Sequence, residues 1–422
     1  MSPSPVDAVA VAEQLLELVK KRTTSPPDST EFYDEGLAIQ ATADKLLRTV
    51  MGPLEYTALL GESCQESQAL YFVTSFGIAD IIGDGALGIA EISEKTGVDT
   101  QFLGVVMSCM LGRGYFEEVE TNVYRNNELS AVLRDDHPDC MKSAIGFVAD
   151  EGYKAASRLI DVAKLRGPSG SADVSADAGK ARVTGTNLAF GFDCSVFDWM
   201  AKPEQAWRGE RLGRAMKQLH GMANQNVPKD YAWNALKSPI VDCGGGIGAL
   251  EMAILKDEKN LNLEFTIFDI PQTVENAKRA WSALPERSAS RVSFAPGNFL
   301  ASSLPDTGIP LGRPTYLIRH VLHDWTDAEV LAILRNVRAA LASSPSEGVP
   351  VGERTLVVCE MLLRPDSSRF VRTTSMQLLA LNNGITRTLD AMRGLIEQAG
   401  FVVRKVHSMR AVDSIIEAVV PV

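Results

Sequence analysis

Residues 239–250, PIVDCGGGIGAL, decide how this chain is read. An apolar strand (Pro239, Ile240, Val241) ends in Asp242. A glycine turn follows (Gly244, Gly245, Gly246, Gly248), and a helical stretch starts at Ala249. Glycines let the backbone bend sharply and come close to a ligand. The first turn of the next helix adds unpaired N–H groups and the positive end of a dipole. The segment therefore reads as the cradle of a nucleotide-like cofactor. Gly244, Gly246 and Ala249 also satisfy the dinucleotide fingerprint, with Asp269 following about one βαβ unit later. Against a dinucleotide, Asp242 precedes the glycines, where its carboxylate repels a pyrophosphate and suits a cationic amine.

Outward from this turn, residues 237–422 alternate between strand and helix patterns. Strands are expected at 239–243, 263–268, 291–294, 314–319, 354–359, 400–407 and 413–420, with helices at 247–257, 271–283, 328–342, 368–381 and 388–398. Alternating βαβ units predict a parallel sheet covered by helices on both faces. The last two strands have no helix between them and are expected as an antiparallel hairpin at the edge.

The first part of the chain is different. Residues 6–60 read as two or three helices, and 68–83 as another, closed by Gly83. Residues 86–127 then run helix, turn at Gly97, helix, Gly114 and two short strands, Tyr115–Val119 and Asn122–Arg125. That is the order of a winged helix. DNA binding is nevertheless disfavoured. Between Gly61 and Asp135 there are twelve acidic residues and four basic ones, and the candidate recognition helix Thr100–Leu111 carries neither Lys nor Arg. Reading DNA requires phosphate and base-edge donors. This helix presents Phe102, Leu103, Val105, Val106, Met107, Met110 and Leu111 instead, as a packing or dimer-forming module would.

Bulk properties agree. A net charge of −11 argues against nucleic acid and anionic membranes. No apolar run is long enough to span a bilayer, and the first residues lack a secretory signal pattern, so a cytoplasmic protein is expected. The six cysteines form no CxxC pair and read as buried reduced thiols, with no zinc site or other metal. Residues 166–184 are Gly/Ser/Ala-rich and read as a mobile insertion.

Four segments, VDCGGGIGALE (241–251), FDIP (268–271), LIRHVLHDWTD (317–327) and VVCEMLLRPD (357–366), resemble the caffeic-acid-type O-methyltransferases, especially their fungal secondary-metabolism branch. The resemblance covers about residues 65–420, and its most specific match is His-Asp-Trp at 323–325. It implies a winged-helix dimerisation domain (1–135), a helical linker and substrate region (136–236) and a Rossmann-like domain (237–422) binding S-adenosylmethionine (SAM). The family forms homodimers through its N-terminal domain and methylates hydroxyls of small molecules.

The resemblance also places roles. His323 falls on the general base, and its ordinary pKa near 6.5 suits that work. Glu360 falls on a carboxylate that orients it. The second orienting acid falls on Thr386, in NNGITRT (382–388); a threonine supplies no charge there. Asp242, Gly244, Gly246, Asp269, Ile270, Asn298, Phe299, Arg319 and Asp324 fall around the cofactor, with Asp269 on the ribose hydroxyls. Asn298 replaces an aspartate, and its amide oxygen remains able to accept from an adenine amino group. Trp325 is expected against the adenine or the core; His320 has no assigned role. Phe190, Phe197, Trp199, Met200, Met216, His220 and Asn382 are candidates for the acceptor pocket. Aromatic and methionine side chains suit both a flat substrate and a sulfonium. Thr386 keeps a second reading open: a methyltransferase-fold enzyme of pericyclase or dehydratase type that does not transfer methyl groups.

Overall fold

The computed structural model describes residues 5–167, 183–344 and 348–421. The expected insertion at 166–184 lies almost entirely outside the described residues. The chain forms two compact units, Met1–Lys154 with Glu204–His220, and Ala155–Pro203 with Gly221–Val422.

In the first unit, helices Ile89–Thr96 and Thr100–Gly112 lie between β1 (Ala86–Gly88) and β2 (Glu117–Glu120), which form a small sheet with β3 (Val123–Arg125), ordered β1-β3-β2. This is the expected winged helix, with β1 as a strand too short to read from its sequence. The helices at its start differ from expectation. One helix runs Thr30–Ser75, kinked where Gly52 takes φ of 72° ahead of Pro53. It stops at Phe76, because Gly77 turns left-handed and restarts the chain as Ile78–Ile82. Residues 68–83 are thus two helices, broken at a glycine inside the apolar pattern.

Helix Ala206–Ala223 sends Arg208 and Arg211 into this unit, where they reach the buried acids Asp150 and Glu151. Arg208 Nη1 and Arg211 Nη2 lie 3.0 and 2.7 Å from Asp150 Oδ2. Two carboxylates buried this deeply need such partners to stay charged.

The second unit is built on a seven-stranded sheet: β4 (Ile240–Cys243), β5 (Phe265–Asp269), β6 (Val292–Pro296), β7 (Thr315–Arg319), β8 (Thr355–Met361), β9 (Val402–Ser408) and β10 (Asp413–Val419). Its order is β6-β5-β4-β7-β8-β10-β9. The first five are parallel, β10 runs antiparallel to β8, and β9 closes the edge as the expected hairpin. The central strands are buried along nearly their whole length (Ile240–Cys243, Phe265–Phe268, Thr315–Ile318), as strands covered on both faces must be. Chain reversal in the order occurs between β4 and β7. The C-terminal ends of those strands therefore form the crevice where open α/β sheets bind ligands. Of the six cysteines, all free, only Cys243 and Cys359 are buried; the other four are half-buried on helices and loops, Cys109 among them against the core of the first unit.

Candidate active site

Every group at this edge is placed by a strand end. β4 delivers Asp242 and the glycine turn. Gly244, Gly246 and Gly248 take φ of 83°, 60° and 78°, which side chains rarely tolerate. A Cβ on Gly244 would stand 2.5 Å from Val321, and one on Gly248 2.3 Å from Ile267. A Cβ on Gly246 would meet nothing within 4 Å. Two glycines are thus required by packing, while the third faces open space.

Asp269 ends β5 and locks the turn. Its Oδ2 accepts from the Gly246 N–H at 2.9 Å and its Oδ1 from its neighbour Ile270 at 2.7 Å. Burial raises its pKa against these two donors. The Thr273 side chain donates to it too, so of a carboxylate's roughly four acceptor positions about one remains for a ligand. Ile270 itself is exposed beside it.

Asp242 lies beneath the turn, buried. Glu251, from the following helix, is fully buried next to it, and the two carboxyls are hydrogen-bonded to each other. Burial, then the neighbouring Glu251, pushes Asp242 well above the usual carboxylate range, and burial raises Glu251 as well. Arg319, at the end of β7, opposes both shifts. Its Nε is 3.5 Å from Asp413 Oδ2, so the guanidinium joins β10 to the acids under the turn.

After β6, Asn298 is exposed and spends its amide oxygen on the Leu300 N–H at 2.9 Å. That bond shapes its own loop and leaves the oxygen a second lone pair able to accept from a ligand. Phe299, 3.6 Å from the position of a Gly244 Cβ, sits edge-on to Trp325 at 5.9 Å between ring centroids. Trp325 also packs on the sheet's core, the second of its two expected placements.

His323 lies in the single turn Leu322–Asp324 that follows β7. Thr326 and Glu329 form the capping box that starts the next helix. Glu360, on β8, faces His323 Nδ1 across 2.8 Å, an ion pair whose N–H does not point squarely at the oxygen. The other Glu360 oxygen accepts from the Val321 and Leu322 N–H groups at 3.1 and 2.8 Å. His323 Nε2 stands 3.7 Å from Asp324 Oδ1, beyond hydrogen-bond reach. Asn382 Nδ2 holds that same Asp324 oxygen at 2.6 Å. Burial alone would lower the His323 pKa. Glu360 and Asp324 outweigh it and bring the ring up to about 9. Burial raises Glu360, but His323 wins and leaves it below its ordinary value.

The segment 382–388 straps this turn in place. The Ile385 N–H donates to the His323 carbonyl at 2.7 Å, and buried Arg387 donates to the Leu322 and Trp325 carbonyls, each at 2.7 Å. Thr386 is buried with Oγ1 unpaired. Arg387, Glu251 and Asp413 were not singled out from the sequence. Arg387 looks like any strand-loop arginine, and only its burial against three acceptors marks it.

Phe190 and Phe192 surround Trp199, with ring centroids 5.0 and 4.4 Å away. Trp199 and Met200 are buried, and Phe197 is exposed. Helix Gly185–Phe190 is pinned beside Asn382, since Thr186 Oγ1 donates to the Leu381 carbonyl at 2.8 Å. Met216 and His220 belong to the other unit. No group of side chains able to hold a metal ion occurs among the described residues.

A strand-end acid, a glycine turn and a carboxylate-paired histidine on one sheet edge define a cofactor-dependent group-transfer enzyme of the Rossmann-like class. The O-methyltransferase domain model matches residues 179–402. The chain belongs to the SAM-dependent O-methyltransferase family. It is 26% identical to the O-methyltransferase hasC of Aspergillus fumigatus over 386 residues, covering 90% of this chain and 82% of that one. It is also 26% identical to the phenazine O-methyltransferase PhzM of Lysobacter antibioticus, covering 83% and 92%. Among solved structures, OxaC in complex with SAH and oxaline superposes with a TM-score of 0.76 at 19% identity, covering 99% of each chain.

The residues at the edge fit such a cofactor. Gly246 leaves open space where a Cβ would stand, Asp269 keeps acceptor capacity beside it, and a buried acid pair lies below. Among the described residues, no helix is long and apolar enough to cross a membrane.

Proposed function

We propose that this enzyme methylates a phenolic or enolic hydroxyl of a small natural product, with His323 as general base. The bound cofactor supplies a methyl group activated on a sulfonium. The Asp269 carboxylate holds its ribose hydroxyls, the glycine turn admits its amino acid end, and the buried acid pair of Asp242 and Glu251 lies beneath it. Phe299 and Arg319 flank the same edge. His323 Nε2 takes the hydroxyl proton as the oxygen gains the methyl group. Glu360 stabilises the resulting imidazolium and fixes which ring nitrogen faces the acceptor. Asp324, tethered by Asn382, supplies the second negative charge that Thr386 does not. Phe190, Phe197, Trp199 and Met200 form the apolar wall for a flat acceptor.

The carrying observation is the 2.8 Å contact between His323 Nδ1 and Glu360 Oε2, which leaves Nε2 for the acceptor. The test is incubation with labelled SAM and a panel of phenolic metabolites, followed by His323→Ala. The expected result is a methylated phenol and a rate loss of about 10²- to 10⁴-fold in the variant. Binding of SAM with no acceptor ever methylated would overturn this reading in favour of a non-methylating enzyme on the same fold.

The first unit is proposed to form a homodimer. Helix Thr100–Gly112 buries Leu103, Met107 and Met110 but leaves Phe102 55% and Val105 69% exposed. Leu47, Val50 and Leu54 on the long helix are exposed as well, and together they offer the apolar surface an interface requires.

A further inference from the structure

The turn after β7 holds a second histidine–carboxylate pair. We infer that His320 and Asp413 form a clamp that fixes Glu360 against His323, and so act as positioning residues for proton transfer. The inference rests on the reading of His323 as base.

His320 has φ of 52°, a left-handed conformation that a residue with a Cβ adopts reluctantly. That twist turns the chain out of β7 so that the next two N–H groups, of Val321 and Leu322, converge on Glu360 Oε1. Two restraints hold the twisted residue. Its N–H donates to the Cys359 carbonyl at 3.2 Å, and its Nε2 lies 2.6 Å from Asp413 Oδ1. Asp413 is a rigid post. It is 1% exposed, opposes Met361 in the β8–β10 register, and donates its N–H to Asn224 Oδ1 at 3.2 Å. Its Oδ2 lies 3.5 Å from both Arg319 Nε and Cys359 Sγ. The His320 ring centroid is 5.4 Å from that of His323. The antiparallel strand β10 thus reaches the base through the one residue whose backbone creates the donors for Glu360.

The titratable and charged groups around His323 are Glu360 from β8, Asp324 from its own turn, Asp413 from β10 and the His320 ring; Arg319 faces Asp413 from β7. The test follows the imidazole of His323 by ¹⁵N NMR in the full chain as pH is varied. There are five histidines, and His323→Ala assigns the signal. In Asp413→Asn an amide oxygen still accepts from His320, and only charge is lost. In Asp413→Ala the post itself is gone. The midpoint of His323 is therefore expected to fall in Asp413→Asn and to fall further in Asp413→Ala, by on the order of half a pH unit or more. His320→Gly relaxes the backbone and removes the ring, and is also expected to lower the midpoint. Loss of the ring leaves the Asp413 carboxylate without its partner, which by itself would raise the midpoint, so a fall identifies a loosened Glu360. His320→Asn tolerates the left-handed backbone but does not reach Asp413, and repeats the test should the glycine variant unfold.

A His320 variant that is folded, binds labelled SAM and keeps the wild-type midpoint or a higher one overturns the clamp. So do identical midpoints in the two Asp413 variants. Failure of the base reading is separate: it is methylation that survives His323→Ala.

Discussion

His323 Nδ1 lies 2.8 Å from Glu360 Oε2, while Glu360 Oε1 is occupied by two backbone N–H groups of the turn that carries His323. One carboxylate therefore sets both the position of the turn and the charge of the ring. Glu360→Gln keeps the shape and removes the charge. The expected result is a His323 midpoint shifted down toward its ordinary value and a kcat lowered about 10- to 100-fold with little change in the KM for SAM. Steady-state kinetics with NMR titration checks both.

The raised pKa of His323, about 9, has a sign for stability and for activity. Its folded value exceeds the unfolded one near 6.5. The stabilisation is therefore complete below the unfolded value and is lost as pH rises through about 9. Denaturant titrations on either side of that window are expected to show the loss, and His323→Ala to abolish that component. A base must be neutral, so kcat/KM is expected to rise with pH toward the same midpoint. In kcat, which reports the complex with a cationic cofactor, the limb is expected at lower pH.

Gly246 and Asp269 separate binding from folding. Gly246→Ala places a methyl group in open space from a left-handed backbone. A stability cost of about 1–2 kcal/mol is expected from the backbone. Loss of SAM affinity beyond that cost locates the cofactor at this glycine. Asp269→Asn turns an amide toward the Gly246 N–H or loses charge at the ribose, with affinity expected to fall about 10- to 100-fold. Calorimetry measures both.

Thr386 has a buried hydroxyl with no bond. Thr386→Val is expected to leave thermal stability unchanged or to raise it by up to about 1 kcal/mol, since no hydrogen bond is lost. A marked fall in the melting temperature would show that the hydroxyl has a partner.

Phe102→Asp together with Val105→Lys places charges on the exposed face of the helix Thr100–Gly112. The expected outcome is a shift of the sedimenting species from dimer to monomer without loss of helical content. A wild-type protein that already sediments as a monomer would remove the proposed interface.

Much of the second unit was legible because its signals are local. A strand buried on both faces reads as an apolar run, a glycine turn needs glycines, and Thr326 with Glu329 announces the helix after the base. The first unit was less legible where the pattern was continuous: the apolar periodicity of 68–83 passes through Gly77 unbroken, and only the left-handed φ of 61° there ends the helix.

The sequence by itself determined the order of strands and helices, the winged helix, the glycine turn and the histidine at the end of the fourth large-sheet strand. Each of these is written within a few consecutive residues. Tertiary structure alone decided which charges meet. Asp242 with Glu251, Glu360 with His323, and Asp413 with His320 stand 9, 37 and 93 positions apart. The first pair meets because the glycine turn folds the next helix back over its strand, the other two because parallel strands end side by side and an antiparallel one begins there. Burial then makes their charges matter, since a low dielectric strengthens every interaction that water would otherwise screen.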